Sequence, residues 1–502
     1  MATADPEVYT TGGRVRGRME NGVAVFRGIP FARPPLGELR FRAPQPPQAW
    51  DGVRDALTFG PPAPQAAFPG APPAPVEHAD SGEWLTVNVW TPDPGAARLP
   101  VMVWIHGGAY LFGSSADPGS DGHNFASAGV VLVSCNYRLG VEGFAQIPGA
   151  PANRGLLDLV AALRWVAANV AAFGGDPGNV TVFGESAGAG AISALLAMDA
   201  ADGLFRRAIA QSVPGTIFTP DLAADITAAI ADAAGVPATF DALSAADPMR
   251  LVEASMKVTG QMRQFPRWGA VRLTDTPFSP VADGEVLSRA PWRALLSGAA
   301  RDVELLTGHN RDEYRLFIAM SGRLGRISED DAATVLESFA PAPDGPAGYR
   351  KSYPEADAGR LYELVFSDWL FRMPTLHLAQ AHAASGGKTF LYELSAEAPA
   401  GEGVFGACHA LDVPMVFGVW GQGIGAILTG EKPPADFAAV GDLMRVEWLK
   451  FAARGEPGWP VYGAERRTTR VYDLQPDIGT YPEEASMHLW ERHQFDALGL
   501  AD

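Results

Sequence analysis

The sequence predicts an α/β fold, a large and mostly parallel sheet with helices on both faces. Three observations carry that prediction. Short apolar, β-branched runs recur and end at glycine or polar residues, as buried parallel strands do. Apolar residues between them repeat at three- and four-residue spacing, which marks a helix face. Hydrophobic residues make up 47% of the 502 and charged residues 19%, a globular balance. Strands alternating with helices place ligands beyond the carboxyl ends of the strands.

Residues 22–26 (Gly-Val-Ala-Val-Phe) read as an early strand, and residues 59–76 as a Pro-rich surface loop within one domain. Residues 85–91 resume strand-like sequence. Residues 101–105 (Val-Met-Val-Trp-Ile) and 130–135 form two apolar strands. Leu156, Val160, Leu163, Val166 and Val170 share a helix face. Residues 180–183 form a third strand, and residues 303–307, closed by Gly308, a fourth. From about Leu222 the chain reads as mainly helical, with Pro and Gly breaks, as insertions that cover the site would. The expectation is a single domain over residues 1–502, with the helical insertions at about 222–410.

The net charge of −18 argues against nucleic acid or an anionic membrane surface as partner. Two cysteines, Cys135 and Cys408, cannot form a disulfide framework for a chain of this length and lack metal-type spacing. The first residues, Met-Ala-Thr-Ala-Asp-Pro-Glu, have no basic start and no apolar stretch, so no signal peptide is expected. No run approaches 18 uncharged apolar residues. These features predict a soluble, cytoplasmic protein, with export by another route left open.

Chemistry concentrates at Ser186. It stands in Gly184-Glu185-Ser186-Ala187-Gly188, after a β-branched run and before Ala- and Leu-rich helical sequence. A serine on a sharp strand-to-helix turn presents its Oγ outside the sheet. A serine nucleophile needs a base, a group that orients the base, and donors for the oxyanion. Residues 104–110 (Trp-Ile-His-Gly-Gly-Ala-Tyr) follow a strand and resemble the His-Gly-Gly-Gly oxyanion motif of esterases and lipases. They supply Gly108 and Ala109 as donors, with the N–H of Ala187 as the third. His106 reads as a loop-orienting histidine.

Of nine histidines, His409 is the leading base, because it lies in a Gly/Ala-rich loop before an apolar segment. His309, beside an acidic cluster, is the rival. His377 and His382 lie in helix-like sequence, and His78, His123, His488 and His493 read as surface residues. The orienting acid is expected between serine and histidine. Asp312 and Glu313 both qualify, and charge alone does not separate them.

Together these segments resemble the type-B carboxylesterase family of α/β-hydrolases, which includes bacterial para-nitrobenzyl esterases and the cholinesterases. Further matching blocks are residues 26–32 (Phe-Arg-Gly-Ile-Pro-Phe-Ala), 34–41, 85–92, 136–140 (Asn-Tyr-Arg-Leu-Gly), 173–177, 280–284 and 448–452. The resemblance covers nearly the whole chain and implies an α/β-hydrolase fold with the acid and histidine loops in the insertion-bearing half. It implies Ser186 as nucleophile, Glu313 rather than Asp312 as acid, His409 as base, and Gly108, Ala109 and Ala187 as oxyanion donors. Ser212, in Ala210-Gln211-Ser212, falls at a family position close to these three. Glu185 is read as a charge beside the nucleophile, positioning water or tuning His409.

The implied function is a serine carboxylesterase cleaving small-molecule esters of short to medium acyl groups through an acyl-enzyme, without metal or organic cofactor, as a monomer or homodimer. Gly107, Tyr110, Thr274 and Thr276 are the expected pocket residues. A carbamate, amide or thioester hydrolase with the same residues is the alternative, and a non-catalytic adhesion or scaffold role the second. Four departures stand out. The positions of a frequent family disulfide read as Ala63 and Trp84. Residues 81–83 (Ser-Gly-Glu) remove the usual carboxylate partner of Arg40 and leave Glu83 as candidate substitute. Tyr314 follows Glu313 where glycine is frequent. The choline-binding tryptophan of cholinesterases is replaced by Pro/Ala-rich sequence, which argues against cholinesterase activity.

Overall fold

A computed structural model describes residues 5–67, 82–341 and 344–501. Residues 68–76 of the Pro-rich segment, His78 and Ser81 lie outside the described residues.

The strands in chain order are β1 (Glu7–Thr10), β2 (Gly13–Arg16), β3 (Arg18–Glu20), β4 (Val23–Pro30), β5 (Val53–Asp55), β6 (Thr86–Thr91) and β7 (Leu99–Ile105). They continue with β8 (Val131–Cys135), β9 (Gly175–Glu185), β10 (Arg207–Gln211), β11 (Glu304–Asn310), β12 (Thr389–Leu394), β13 (Thr468–Tyr472) and β14 (Asp477–Thr480). An eleven-stranded sheet has the order β14-β13-β12-β11-β10-β9-β7-β8-β6-β4-β3. The run from β8 to β13 is parallel, and antiparallel strands flank it on both sides. A small separate sheet has the order β1-β2-β5.

Successive side chains of a strand point to opposite faces, and both faces here are covered. In β7, Val101, Val103 and Ile105 join one core, whereas Met102 and Trp104 join the other. The first core packs beneath the helices Arg154–Asn169, Ala187–Leu195, Pro220–Ala234 and Met373–Ala384. The second packs beneath Asp412–Phe417 and Ala435–Arg454. In Arg154–Asn169 the predicted stripe Leu156, Val160, Leu163 and Val166 is buried, each side chain contributing about 2 kcal/mol. The stretch Arg154–Phe173 is long and apolar enough to cross a membrane by length and composition, yet 61% of its apolar window is buried in the protein.

The structure extends the sequence reading at four places. The strand expected to close at Gly308 runs on through His309 to Asn310. Strands β10, β12 and β13 interrupt segments that were not read as strand. Between its strands the chain after Leu222 is mainly helical, and Thr219, Thr239, Asp247, Ser328 and Asp357 each begin a helix with a side-chain oxygen on an otherwise unpaired N–H.

The departures resolve locally. Arg40 binds Glu142, with Nη2 2.6 Å from Oε1 and both side chains buried, rather than the expected Glu83, which pairs with Arg54 at 3.0 Å. Cys135 and Cys408 are free and buried, and Ala63 and Trp84 are both packed inside. Tyr314 lays its ring on Phe366, centroids 4.0 Å apart.

Candidate active site

Ser186 follows the last residue of β9 and precedes the helix Ala187–Leu195, with φ 56° and ψ −124°. A non-glycine residue is held there only if its surroundings fix it. They do so through close backbone contact. A Cβ on Gly184 would lie 2.6 Å from the Ile105 carbonyl oxygen, and one on Gly188 would overlap that same carbonyl. The two glycines therefore let the helix start press against the end of β7. The Ser186 N–H donates to Gln211 O at 2.9 Å, which pins the turn to β10.

The next two strands end alongside. Gln211 of β10 is in register with Glu185 on one side and Gly308 on the other. Ser212, at φ 58°, sits on a second strained turn and donates its N–H to Gly308 O at 2.8 Å. Glu313 lies three residues past β11 and is fully buried. Its Oε1 accepts from the Ser212 hydroxyl at 2.5 Å and from the Asn310 N–H at 2.9 Å. Its Oε2 lies 2.6 Å from His409 Nδ1, which must donate to it.

Asp312 and Glu313, equivalent by charge, have opposite surroundings. Asp312 turns outward to Arg311 and Arg360, and those cations hold its pKa below the usual carboxylate value against the opposing effect of burial. It also accepts the Ala407 N–H at 3.1 Å. The His409 N–H donates to Glu313 O at 3.2 Å, and Asn310 Nδ2 donates to Cys408 O at 2.7 Å. The acid loop and the histidine loop are thus laced together.

His409 is 4% exposed. Phe371 stacks on it with centroids 4.1 Å apart, and Phe317 lies at 5.3 Å. Phe371 belongs to a π-helical turn, Asp368–Arg372, a wide turn of the kind that gathers at functional sites. No pattern in the sequence marks that turn. On the edge away from Glu313, His409 Nε2 lies 3.1 Å from Glu185 Oε1. Burial lowers the imidazolium pKa, but Glu185, Glu313 and Asp412 outweigh it and raise it to about 9. Burial raises the Glu185 pKa to about 8, against the attraction of His409. The Ser186 hydroxyl makes no hydrogen bond to His409 among the described residues.

The backbone N–H groups of Gly108, Ala109 and Ala187 have no acceptor among the described residues. Peptide planarity sets their directions, because an N–H points opposite to the carbonyl of its own peptide. Gly108 O accepts from Leu111 N and Phe112 N, both at 2.9 Å, which fixes the Ala109 N–H. Gly107 O lies 2.8 Å from His106 Nδ1, which fixes the Gly108 N–H. His106 is therefore the loop-orienting residue expected, stacked on Tyr137 at 4.6 Å and lowered to about 4 by burial. A Cβ on Gly107 would lie 2.9 Å from Glu185 O and Oε2 and 3.2 Å from Ser186 Cβ, so the loop runs directly beside the serine.

Ser186, Glu313, His409, Glu185, Ser212, Gly107, Gly108, Ala109 and Ala187 thus come together. Tyr110 packs on Phe144 at 4.7 Å in the core. Thr274 bonds Val271 O at 2.8 Å and Thr276 at 2.9 Å, and no contact joins either threonine to Ser186 or His409 among the described residues. His309 is fully buried and bonded to Tyr481 at 2.9 Å, and burial lowers it to about 3, so the rival histidine is a neutral packing residue. His377 and His382 lie in one helix as read, His488 is exposed, and His123 and His493 are half-buried.

A buried carboxylate–imidazole pair beside a serine on a strand-to-helix turn, facing unpaired backbone donors, can run nucleophilic acyl transfer. Comparison with known proteins decides the family: the carboxylesterase family model matches residues 4–490. The chain belongs to the carboxylesterase family. Family membership is matched by similarity along the whole chain. It is 36% identical to the para-nitrobenzyl esterase of Bacillus subtilis (strain 168), covering 95% of this chain and 96% of that protein. It is 34% identical to the phenmedipham hydrolase of Pseudarthrobacter oxydans, covering 92% and 93%. The solved Geobacillus stearothermophilus carboxylesterase EST55 superimposes with a TM-score of 0.84 at 36% identity, covering 96% of this chain and 99% of that one. This carboxylesterase therefore has the α/β-hydrolase fold and is a carboxylic-ester hydrolase of the serine type.

Proposed function

We propose that Ser186 is the nucleophile of this esterase, His409 its base and Glu313 the acid that orients the base. One observation carries the reading: the 2.6 Å bond from His409 Nδ1 to buried Glu313, at the carboxyl ends of the central strands where Ser186 is held at positive φ. Nδ1 carries a proton toward Glu313, so Nε2 is the nitrogen that works as base.

Nε2 and Glu185 Oε1 are 3.1 Å apart without forming a hydrogen bond, so Glu185 acts on the imidazole through its charge. With His409 neutral, Nε2 is free to take the Ser186 Oγ proton as Oγ bonds to the ester carbonyl carbon. The carbonyl π pair moves to oxygen, and the N–H groups of Gly108, Ala109 and Ala187 receive that oxyanion, each donor contributing about 3 kcal/mol. The imidazolium then protonates the leaving alkoxide oxygen as the C–O bond breaks. Water repeats the sequence on the acyl-enzyme, its proton passing through His409 to Ser186 Oγ while the acid leaves. Ser212 holds the second oxygen of Glu313.

The substrate is a small carboxylic ester with a short to medium acyl group. The resemblance puts Thr274 and Thr276 where cholinesterases carry bulky acyl-pocket aromatics, which supports a roomier acyl site. A fluorophosphonate should modify the peptide holding Ser186, and an adduct on Ser212 instead would remove the assignment. Across p-nitrophenyl esters, kcat/KM should be highest beyond acetate; a maximum at acetate alone would contradict the acyl-length reading.

A further inference from the structure

We propose that Gln65 is a positioning residue for the oxyanion loop, acting through Gly113. The inference rests on the reading of Gly108 and Ala109 as oxyanion donors.

Gln65 pairs with both backbone groups of Gly113 at once. Its Nε2 donates to Gly113 O at 2.9 Å, and its Oε1 accepts the Gly113 N–H at 2.9 Å. A side-chain amide has one donor edge and one acceptor edge, so this pair imitates a strand pairing and fixes a peptide in both position and orientation. The clamp is itself anchored. Gln65 Nε2 also donates to Ala63 O at 3.1 Å, and Asn136 Nδ2 donates to Pro61 O at 3.1 Å. Asn136 Oδ1 accepts the Ser115 N–H at 2.8 Å, so one side chain holds the Gln65 segment and the exit of the loop together.

Gly113 is the residue on which the loop closes. At φ 109° it lies against the start of the loop, and a Cβ there would collide with His106 Nδ1 and lie 2.6 Å from Gly107 O. Those two atoms form the bond that orients the Gly108 N–H. A shift of Gly113 is therefore a shift of the His106–Gly107 contact and of the donor it aims. Without Gln65 the peptide would solvate and relax. Because a donor contributes chiefly when it meets the developing oxyanion, the effect should fall on the transition state rather than on ester binding.

The test uses the full chain with Gln65→Ala and Gln65→Glu. Glutamate keeps the volume and the acceptor for the Gly113 N–H but sets a carboxylate against the Gly113 carbonyl. The measurements are kcat and KM on p-nitrophenyl butyrate, the Ki of an alkyl trifluoromethyl ketone, the Ki of the matching alcohol, and the thermal midpoint. The ketone adds Ser186 Oγ to its carbonyl carbon and places an oxyanion on the donors, whereas the alcohol fills the same space and cannot be attacked.

In both variants kcat should fall about ten- to a hundredfold with KM within about threefold, and the ketone Ki should weaken in parallel while the alcohol Ki holds. A folded variant with kcat and ketone Ki within about twofold of the parent overturns the proposal. Equal weakening of ketone and alcohol also overturns it, since that is collapse of the pocket. Should Gln65→Ala not fold, Gln65→Glu decides by the same readings. If the parent enzyme itself binds the ketone no tighter than the alcohol, the donor reading fails first and Gln65 loses its assigned role with it.

Discussion

Glu185 Oε1 stands 3.1 Å from His409 Nε2, on the opposite edge of the imidazole from the Glu313 carboxylate at 2.6 Å. His409, the proposed base, is therefore flanked by two buried carboxylates. Its basicity is a balance between burial, which disfavours the imidazolium, and anions, which favour it.

The first prediction concerns pH. His409 is raised to about 9, and its proton must leave Nε2 before Ser186 can be deprotonated. Activity should therefore rise with pH into the alkaline range. Glu185→Gln removes an anion that stabilises the imidazolium, so the His409 pKa falls and the rising limb moves to lower pH. A kcat/KM profile from pH 5 to 10 checks this. A limb that stays put or moves upward would show that Glu185 does not stabilise the imidazolium.

The second concerns the acid. Glu313→Gln keeps the shape but loses the charge, and with its amide oxygen held by the Asn310 N–H it turns an NH2 donor toward Nδ1, so kcat should fall by about 10⁴. Ser212→Ala removes one of two donors to Glu313 Oε1 and leaves the Asn310 N–H in place, so about tenfold is expected, or roughly 1.4 kcal/mol. Steady-state kinetics on one ester at saturating concentration reads both. Equal losses would mean that Ser212 does more than hold Glu313.

The sequence carried much of this site because its chemistry is local there. The strand-to-helix context singled out Ser186, and a glycine loop after a strand singled out Gly108 and Ala109. Asp312 and Glu313 were inseparable by charge, since what distinguishes them is folding: one faces Arg311 and Arg360, the other Ser212 and His409. The same holds for Arg40, whose partner Glu142 is far away along the chain, and for Gln65 and Gly113, joined only in three dimensions. Strand β10 was missed because its Ala-rich sequence has no β-branched run, and Phe371 because a π-turn leaves no periodic trace.

A third prediction tests the close approach at the elbow. Gly188→Ala places a methyl on the Ile105 carbonyl and should abolish soluble, folded protein. Gly107→Ala meets the Glu185 backbone oxygen and Oε2 at 2.9 Å and Ser186 Cβ at 3.2 Å, a milder overlap in which the carboxylate can move but the loop must shift off the backbone oxygen. That variant should fold and lose most of its activity. Circular dichroism beside kinetics separates the two outcomes, and an active Gly188→Ala enzyme would contradict the packing described.

A fourth concerns stability alone. Arg40 and Glu142 are both nearly buried and bonded at 2.6 Å. Glu142→Ala strands the guanidinium on the Ser244 and Ala246 carbonyls and should cost about 3–5 kcal/mol. Urea unfolding measures it, with activity per folded molecule expected to match the parent. A loss below about 1 kcal/mol would show that the carbonyls alone satisfy Arg40.

The central claim is that Ser186 attacks the ester. It is tested most directly by the turnover of purified, folded Ser186→Ala on p-nitrophenyl butyrate at the pH optimum of the parent enzyme. The expected result is a fall in kcat of about 10⁶ with unfolding behaviour unchanged. A folded Ser186→Ala enzyme that keeps the parent's turnover would contradict it.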